Sequence, residues 1–316
     1  ISLGHYDASR EFASLCLMCS PQDINEKWCQ ACLKPIPPVI VSEGVVQEVV
    51  MTGEELERVG LGMLPAPVEN PGWSGDTRTT NQFITKDPET GKRNVGTYSA
   101  HISGPKSMRW GLAPSNHAHT HLEKARALGK KLQVAIVVGN TPNIALVASA
   151  PFPYGTDELT IAGGLAGQPV ELVKCKTVDL EVPANAEIVI EGEVSGDLVE
   201  PKASFGDYPG YMYEVENAYG PVIDITCITH RKDPIFTATT VGFPTQGSSV
   251  LGSLASESML YQHLKYNCYI PGVLDVASHI SSGYIVVQIK KDNPWKPWQV
   301  LNALMGYNPY LCKVAI

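Results

Sequence analysis

Hydrophobic positions along the chain recur with two different periods, and these periods divide it into predicted helices and strands. Residues 119–131 carry apolar side chains three and four positions apart and end near Gly129, which is typical of a helix with a glycine cap. Residues 81–101 contain two apolar runs around a turn, which predicts a hairpin. Apolar runs at residues 134–139 and 144–148 predict buried strands. Further strands are predicted at residues 170–174, 188–192, 222–230, 235–241 and 284–290.

The first part of the chain and a later stretch are predicted to be more helical than the middle. Residues 1–38 read as helical up to a cluster of prolines, and residues 254–264 form another helical stretch. Two β-branched runs predict a short hairpin at residues 39–51. Many strands with few helices across residues 81–245 predict an antiparallel or mixed barrel flanked by helical segments, which is an α+β architecture.

Composition and charge narrow the class of protein. The 316 residues suit two domains or one large domain with an extension, and 44% hydrophobic with 18% charged residues is ordinary for a soluble protein. The net charge of -8 gives no overall attraction to nucleic acid or anionic membranes. No apolar run is long enough for a transmembrane helix, and the charged first residues do not resemble a signal peptide. We therefore expect a cytoplasmic protein that binds neither nucleic acid nor membrane.

Eight cysteines allow either a metal site or ordinary core packing. Cys16, Cys19, Cys29 and Cys32 follow the spacing C-x2-C-x9-C-x2-C, which is compatible with a zinc or iron–sulfur site. The same residues also fit the core face of an amphipathic helix, because cysteine often behaves as a small buried residue. Both alternatives stay open, and without a secretory signal we expect thiols and not disulfides.

Polar residues that lie within or beside apolar segments are the candidates for chemistry. They are Asn94, His117, His119, His121, Glu158 and Asp207. Each of them alone has an ordinary explanation as a turn residue, a helix cap or a solvated position. The common motifs for nucleotide phosphates, serine hydrolases and HExxH metalloproteases are absent from the sequence. A zinc site made of the three histidines lacks a fourth ligand, so it is a weaker alternative.

Several motifs follow one another along the chain in a distinctive order. They are NVGTY at residues 94–98, MRW at 108–110, His117, DELTIAGGLAGQPVELVKC at 157–175, EVPANAEIVIEG at 181–192 and FGDYPGY at 205–211. This order resembles the UbiD family of decarboxylases, from about Ile36 to the end of the chain. The resemblance implies an N-terminal α/β segment at residues 1–85, a split-barrel flavin-binding domain at 86–290 and the start of a C-terminal domain at 291–316. Because the chain begins without Met and stops within an apolar run, we expect it to lack residues at both ends.

The resemblance also implies a cofactor, prenylated FMN, whose phosphate is held by a divalent metal (Mn, Mg or Fe) with a monovalent cation (K) nearby. By motif the metal ligands are Asn94, His117 and Glu158, and an alignment gap could select His119 or His121 in place of His117. The remaining cofactor contacts that it implies are Gly96, Thr97, Ser99, Met108, Arg109 and Trp110. Oxygen ligands with one imidazole suit Mn or Mg, and such a metal makes a phosphate dianion tolerable in a protein of net negative charge.

The catalytic residues depart from the family pattern. The family has an Arg five residues after the metal-binding Asn, and a Glu five residues before a second acid. Here these three positions hold Ser99, Lys202 and Asp207. Serine cannot form an ion pair or donate two parallel hydrogen bonds to a carboxylate. Lys202 can donate a proton if burial lowers its pKa.

The function implied is the non-oxidative, reversible decarboxylation of an aromatic or α,β-unsaturated carboxylic acid. The altered pocket favours an unusual substrate such as an aromatic acyl-CoA, by analogy with phthaloyl-CoA decarboxylases, with Asp207 and Lys202 as the catalytic pair. Two alternatives stay open: Glu200 acts as the acid through a shifted loop, or the chain is a catalytically silent flavin-binding or carboxylase-complex subunit. The expected partners are a flavin prenyltransferase, which supplies the cofactor, and further copies of the chain in a homodimer or larger homo-oligomer.

Overall fold

A computed structural model of the chain shows which segments form strands and which form helices. The structure describes residues 9–67, 78–201, 205–206, 212–213, 219–238, 247–279 and 284–307. Its strands are β1 (Val39–Ile40), β2 (Val49–Met51), β3 (Arg78–Lys86), β4 (Arg93–Gly104), β5 (Ser107–Gly111), β6 (Leu132–Val138), β7 (Glu171–Lys174), β8 (Glu181–Pro183), β9 (Ile188–Pro201), β10 (Phe205–Gly206), β11 (Met212–Tyr213), β12 (Tyr219–His230), β13 (Val273–His279) and β14 (Tyr284–Ile289). Its helices are α1 (Arg10–Cys16), α2 (Ile24–Leu33), α3 (Gly53–Arg58), α4 (His117–Ala127), α5 (Pro142–Ala148), α6 (Glu158–Ala166), α7 (Gly247–Gln262) and α8 (Lys296–Tyr307).

Six strands close into an antiparallel barrel. Around the ring the order is β12, β5, β4, β3, β6 and β9, and β9 pairs in turn with β12. Closure pairs the backbone groups that an open sheet would leave free at its edges. The predicted hairpin is the β3–β4 pair, and the prediction of a barrel within an α+β fold is confirmed.

Both faces of the barrel wall are buried. Successive residues of a strand point to opposite faces. In β6, Val134, Ile136 and Val138 join the core inside the barrel, whereas Ala135 and Val137 join a second core outside it. This double burial explains why the sequence of β6 is a continuous apolar run and not an alternating one.

Helices α2, α5, α6 and α7 contribute to the outer core. Trp28 of α2 is fully buried and stacks on Phe152, with ring centroids 5.6 Å apart. Strands β1, β7 and β8 form a small separate sheet, and α7 packs on the β13–β14 pair. Within the described segments, no helix is long and apolar enough to cross a membrane.

Three predictions of β structure were wrong in whole or in part. Residues 144–148 lie in helix α5, which begins at Pro142, a residue favoured in the first turn of a helix. Residues 39–51 do not form a hairpin, because β1 pairs with β7 and β2 pairs with β12. Residues 231–238 contain only an isolated bridge, and the rest of the strand predicted at 235–241 lies outside the described residues.

The first four cysteines are free thiols: Cys16 ends α1, Cys19 lies in the segment after it, and Cys29 and Cys32 lie in α2. Cys29 is fully buried, and burial raises the pKa of the Cys29 and Cys32 thiols to about 12 each. Over the part of the chain that the structure describes, no three His, Cys, Asp or Glu side chains are grouped so that they could hold a metal ion. Core packing is therefore the alternative that the structure favours for these cysteines.

Candidate cofactor and metal site

The start of strand β4 places Asn94 next to the first turn of helix α4. Asn94 is buried, and its Oδ1 lies 3.2 Å from Nδ1 of His117. Its Nδ2 donates a hydrogen bond to the Tyr98 hydroxyl at 3.4 Å. Asn94 and Tyr98 share one face of β4 because they are four residues apart in a strand. The amide is thus anchored by Tyr98 on one side and presents its oxygen to His117.

His117 is the first residue of α4, directly after the N-cap Asn116. Burial lowers its pKa, which favours the neutral imidazole that binds metals. Its ring packs edge-on against Tyr154, with centroids 5.2 Å apart. Two ligands at right angles on one octahedral metal, with bonds of about 2.1 Å, lie about 3 Å apart. The Asn94–His117 distance fits that spacing.

Glu158 is the first residue of helix α6. The preceding residue, Asp157, caps the helix by accepting a hydrogen bond from the Leu159 backbone. The Oε2 atom of Glu158 accepts a hydrogen bond from the backbone N–H of Val95 at 2.8 Å, which brings the carboxylate beside Asn94 in the chain. Glu158 is only 3% exposed, and this burial raises its pKa to about 8, against the opposing effect of the Val95 N–H. A bound cation would lower this desolvation cost.

Tyr98 connects Asn94 to the start of helix α4. Burial raises the pKa of its hydroxyl, the hydrogen bonds to Asn94 and to the Ala118 backbone lower it, and the charge of Glu158 raises it. Tyr98 thus bonds both to the side chain of Asn94 and to the first turn of α4, where His117 lies. An amide oxygen, an imidazole and a carboxylate are donors that suit Mn or Mg.

The other two histidines of α4 have different surroundings. His121 is buried, and its Nδ1 lies 2.8 Å from the Thr85 hydroxyl. Burial lowers its pKa to about 4. His119 is half-buried. His117 is thus the histidine that lies against Asn94, and a zinc site of three histidines has no support within the described residues.

The opposite face of β4 carries hydroxyl groups. The Thr97 hydroxyl lies 3.0 Å from the Ser149 hydroxyl, just after helix α5. The Ser99 hydroxyl lies 3.2 Å from that of Thr80 on β3. Gly96 faces the interior, where an added Cβ would overlap the Tyr98 ring.

Strand β5 divides its three predicted contacts between two faces. Met108 and Trp110 are fully buried in the interior core, and Trp110 stacks on Phe83 with centroids 5.1 Å apart. Arg109 alternates to the outer face and pairs in register with His101. This arrangement favours a packing role for the side chains of Met108 and Trp110, and their contact with a cofactor stays a prediction.

Comparison with known proteins identifies the family. A family model described as "UbiD: 3-octaprenyl-4-hydroxybenzoate carboxy-lyase Rift-related domain" matches residues 39–244. The chain belongs to the UbiD family. The family membership expected from the motifs is thus confirmed, although no branch within the family is identified.

Relatives and solved structures extend the match. An uncharacterized protein of Aquifex aeolicus is 41% identical over 278 residues, which cover 85% of this UbiD-family chain and 54% of that protein. An evolved dimeric form of the UbiD-class enzyme HmfF from Pelotomaculum thermopropionicum, in complex with prFMN, gives a TM-score of 0.87 at 31% identity, covering 96% of this chain and 70% of that one. Vanillic acid decarboxylase of Sedimentibacter hydroxybenzoicus gives a TM-score of 0.84 at 26% identity, covering 97% of this chain and 66% of that one. The chain spans about half the length of the curated relatives it matches.

The predicted catalytic residues of this UbiD-family chain fall where side chains are not described. Lys202 and Asp207 lie outside the described residues. Glu200, the alternative acid, has a described backbone position in β9 but no described side chain. The structure therefore places Asn94 against His117, and Glu158 against the backbone of the residue after Asn94, while the roles of all these residues stay predictions.

Three residues of the site were not singled out from the sequence of this UbiD-family chain. Tyr98 could have been found from its spacing, since it is four residues after Asn94 on the same strand face. Ser149 and Tyr154 could not be found in this way. Ser149 contacts Thr97 across 52 residues of sequence (149 − 97), and Tyr154 contacts His117 across 37 residues (154 − 117). Their proximity is a product of the tertiary fold.

Replacing Gly96 with alanine tests the packing of Tyr98. We expect Gly96→Ala to lower the free energy of unfolding by about 1–3 kcal/mol, because the new methyl group forces Tyr98 to move. Gly104→Ala, on the same strand and with open space around its Cβ, should change it by less than about 0.5 kcal/mol. Chemical denaturation measures both, and equal stabilities would contradict the described packing.

Proposed function

We propose that this UbiD-family chain binds prenylated FMN through a divalent cation held by Asn94, His117 and Glu158. Two contacts support the proposal: Oδ1 of Asn94 lies 3.2 Å from Nδ1 of His117, and Glu158 accepts a hydrogen bond from the backbone of Val95, the neighbour of Asn94 in the chain. The chain's similarity to HmfF, solved with prFMN and with FMN, supports the choice of cofactor. Mn is the proposed metal, with Mg or Fe as alternatives and a K ion nearby.

A cation is needed at this position for electrostatic reasons. Within the described residues Glu158 forms no ion pair, and the chain carries a net charge of -8. Burial alone favours the protonated form of Glu158, and a cation between Glu158 and a phosphate dianion would favour the ionised carboxylate and offset its repulsion of the phosphate. The Thr97 and Ser149 hydroxyls lie 3.0 Å apart on the face of β4 opposite to Asn94, and a contact of Thr97 with the cofactor stays a prediction.

The proposed activity is the non-oxidative, reversible decarboxylation of an aromatic or α,β-unsaturated carboxylic acid. Bound prenylated FMN would supply a ring system that accepts electron density as CO2 leaves. The chain's own residues must orient the carboxylate and return a proton to the carbon that loses CO2. Similar chains of known structure include decarboxylases of vanillic acid and of 3,4-dihydroxybenzoic acid, which supports an aromatic substrate class.

Asp207 and Lys202 are the proposed proton-transfer pair. Asp207 keeps the acid of the family motif FGDYPGY, and Lys202 stands five residues earlier, where the family has Glu. Ser99 stands where the family has Arg, so the positive charge near the substrate would have moved from position 99 to Lys202. A substrate that carries its own large recognition group, such as an aromatic acyl-CoA, suits a pocket without that Arg.

The cofactor proposal also names two kinds of partner. A flavin prenyltransferase would supply the prenylated cofactor. Further copies of the chain would form a homodimer or larger homo-oligomer in the cytoplasm, and a dimeric form of HmfF supports this choice.

Loading experiments on ligand variants test the cofactor site. The chain is produced without oxygen beside a flavin prenyltransferase, and bound flavin and metal are measured by mass spectrometry and elemental analysis. We expect about one flavin and one divalent metal per chain, and loss of both in Asn94→Ala and His117→Ala, because each variant removes a ligand. His119→Ala is the matched control on the same helix and should retain both. Wild-type protein without flavin or metal, or a control that fails like His117→Ala, would contradict the proposed site.

A substitution of the proposed acid tests the activity separately. Asp207→Asn should keep the flavin and lower the rate of CO2 release by about 10²–10⁴-fold, because the amide cannot transfer a proton. CO2 release is followed on aromatic acids and on their CoA esters. Full turnover in Asp207→Asn would remove Asp207 from the mechanism, and a flavin-loaded wild type without turnover on any carboxylate would favour a silent binding subunit.

A further inference from the structure

An ion pair joins the residues that immediately precede two of the proposed metal ligands. Arg93 precedes Asn94 on β4, and Asp157 precedes Glu158 at the start of α6. Nη1 of Arg93 lies 2.9 Å from Oδ2 of Asp157, across 64 residues of sequence. The bond from the Val95 N–H to Glu158 lies directly beside it. The Arg93–Asp157 ion pair and the Val95–Glu158 hydrogen bond thus hold strand β4, which carries Asn94, against helix α6, which begins with Glu158.

The second arm of Arg93 extends this contact to a third segment. Nη2 of Arg93 lies 2.7 Å from Oε2 of Glu181 on β8, whose Oε1 lies 2.8 Å from Nζ of Lys86 on β3. The Arg93 side chain is only 11% exposed. A planar guanidinium with both arms engaged and little solvent around it has one preferred orientation. A lysine has a single ammonium group and cannot reproduce this fork.

We propose that Arg93 is a positioning residue that sets the distance between Asn94 and Glu158 by holding Asp157 and Glu181 at once. This inference rests on the proposed metal site. Glu158 is buried, and within the described residues it is held by the hydrogen bond from the Val95 N–H and by its place at the start of α6. Asp157 fixes that start, so a change in the Arg93–Asp157 contact shifts the first turn of α6 and the carboxylate with it. Partners that orient metal ligands typically change metal affinity by about 10–100-fold when they are removed.

A purely structural ion pair would behave differently from a positioning residue. Loss of a structural pair lowers stability without altering the metal affinity of the molecules that remain folded. Loss of a positioning residue weakens the metal complex and alters its geometry in folded protein. Metal affinity and the spectrum of the bound metal therefore separate the two roles.

The test is a titration of the metal-free chain with Mn2+, followed by electron paramagnetic resonance, with folding checked by circular dichroism. We expect Arg93→Gln to weaken Mn2+ binding by about 10–100-fold and to change the spectrum of the bound ion. Lys86→Gln is the matched control, since it removes the same charge from Glu181 and leaves the Arg93–Asp157 pair intact. It should bind Mn2+ within about twofold of wild type, as expected for a side chain that does not reach a ligand-bearing segment.

A second variant keeps the proposal testable if Arg93→Gln does not fold. Asp157→Asn retains a good helix cap but loses the ion pair, and should weaken Mn2+ binding to a similar extent. A double variant with both Arg93→Gln and Asp157→Asn should bind Mn2+ at most about threefold more weakly than either single variant, because the two substitutions remove the same contact. Wild-type affinity and spectrum in folded Arg93→Gln or Asp157→Asn would overturn the positioning role alone. Absence of Mn2+ binding by wild-type protein, or unchanged binding in Asn94→Ala, would overturn the metal site and the inference together.

Discussion

A carboxylate that is buried at the start of a helix costs free energy unless it is hydrogen-bonded or paired with a cation, and Glu158 is in this position. Its described hydrogen bond comes from the Val95 backbone, and burial raises its pKa to about 8. The Val95 N–H offsets part of this cost, and the cation that we propose between Asn94, His117 and Glu158 would offset more of it.

The barrel makes that arrangement possible. Strand β4 pairs with β3 along its length, which places Asn94 opposite Thr85 and Tyr98 opposite Asn81, and it pairs with β5 from Ser99 onwards. The α4 and α6 helices reach the same end of β4 from different parts of the chain, and each begins with a candidate ligand. Hydrogen bonds and ion pairs that cross many residues of sequence then lock the three segments together.

Much of this could be predicted from local sequence, and the rest depends on long-range contacts. The β3–β4 hairpin was predictable because its strands adjoin in sequence, and the family followed from the order of motifs. Residues 144–148 were predicted as a strand because their apolar side chains resemble a buried strand, although Pro142 favours the start of a helix there. Strands β1 and β2 were predicted to pair with each other because their partners, β7 and β12, lie far along the chain. The choice of His117 over His119 and His121 required the position of β4 relative to α4, which spacing alone does not give.

The central claim is that Asn94, His117 and Glu158 bind one metal ion beside the phosphate of a flavin. The most direct measurement is a crystal structure of the flavin-loaded protein with Mn2+, with diffraction recorded at the manganese absorption edge. The account predicts one anomalous peak bonded to Oδ1 of Asn94, to a ring nitrogen of His117 and to the Glu158 carboxylate, next to phosphate oxygens. A flavin without such a peak, or a peak held by other residues, would contradict it.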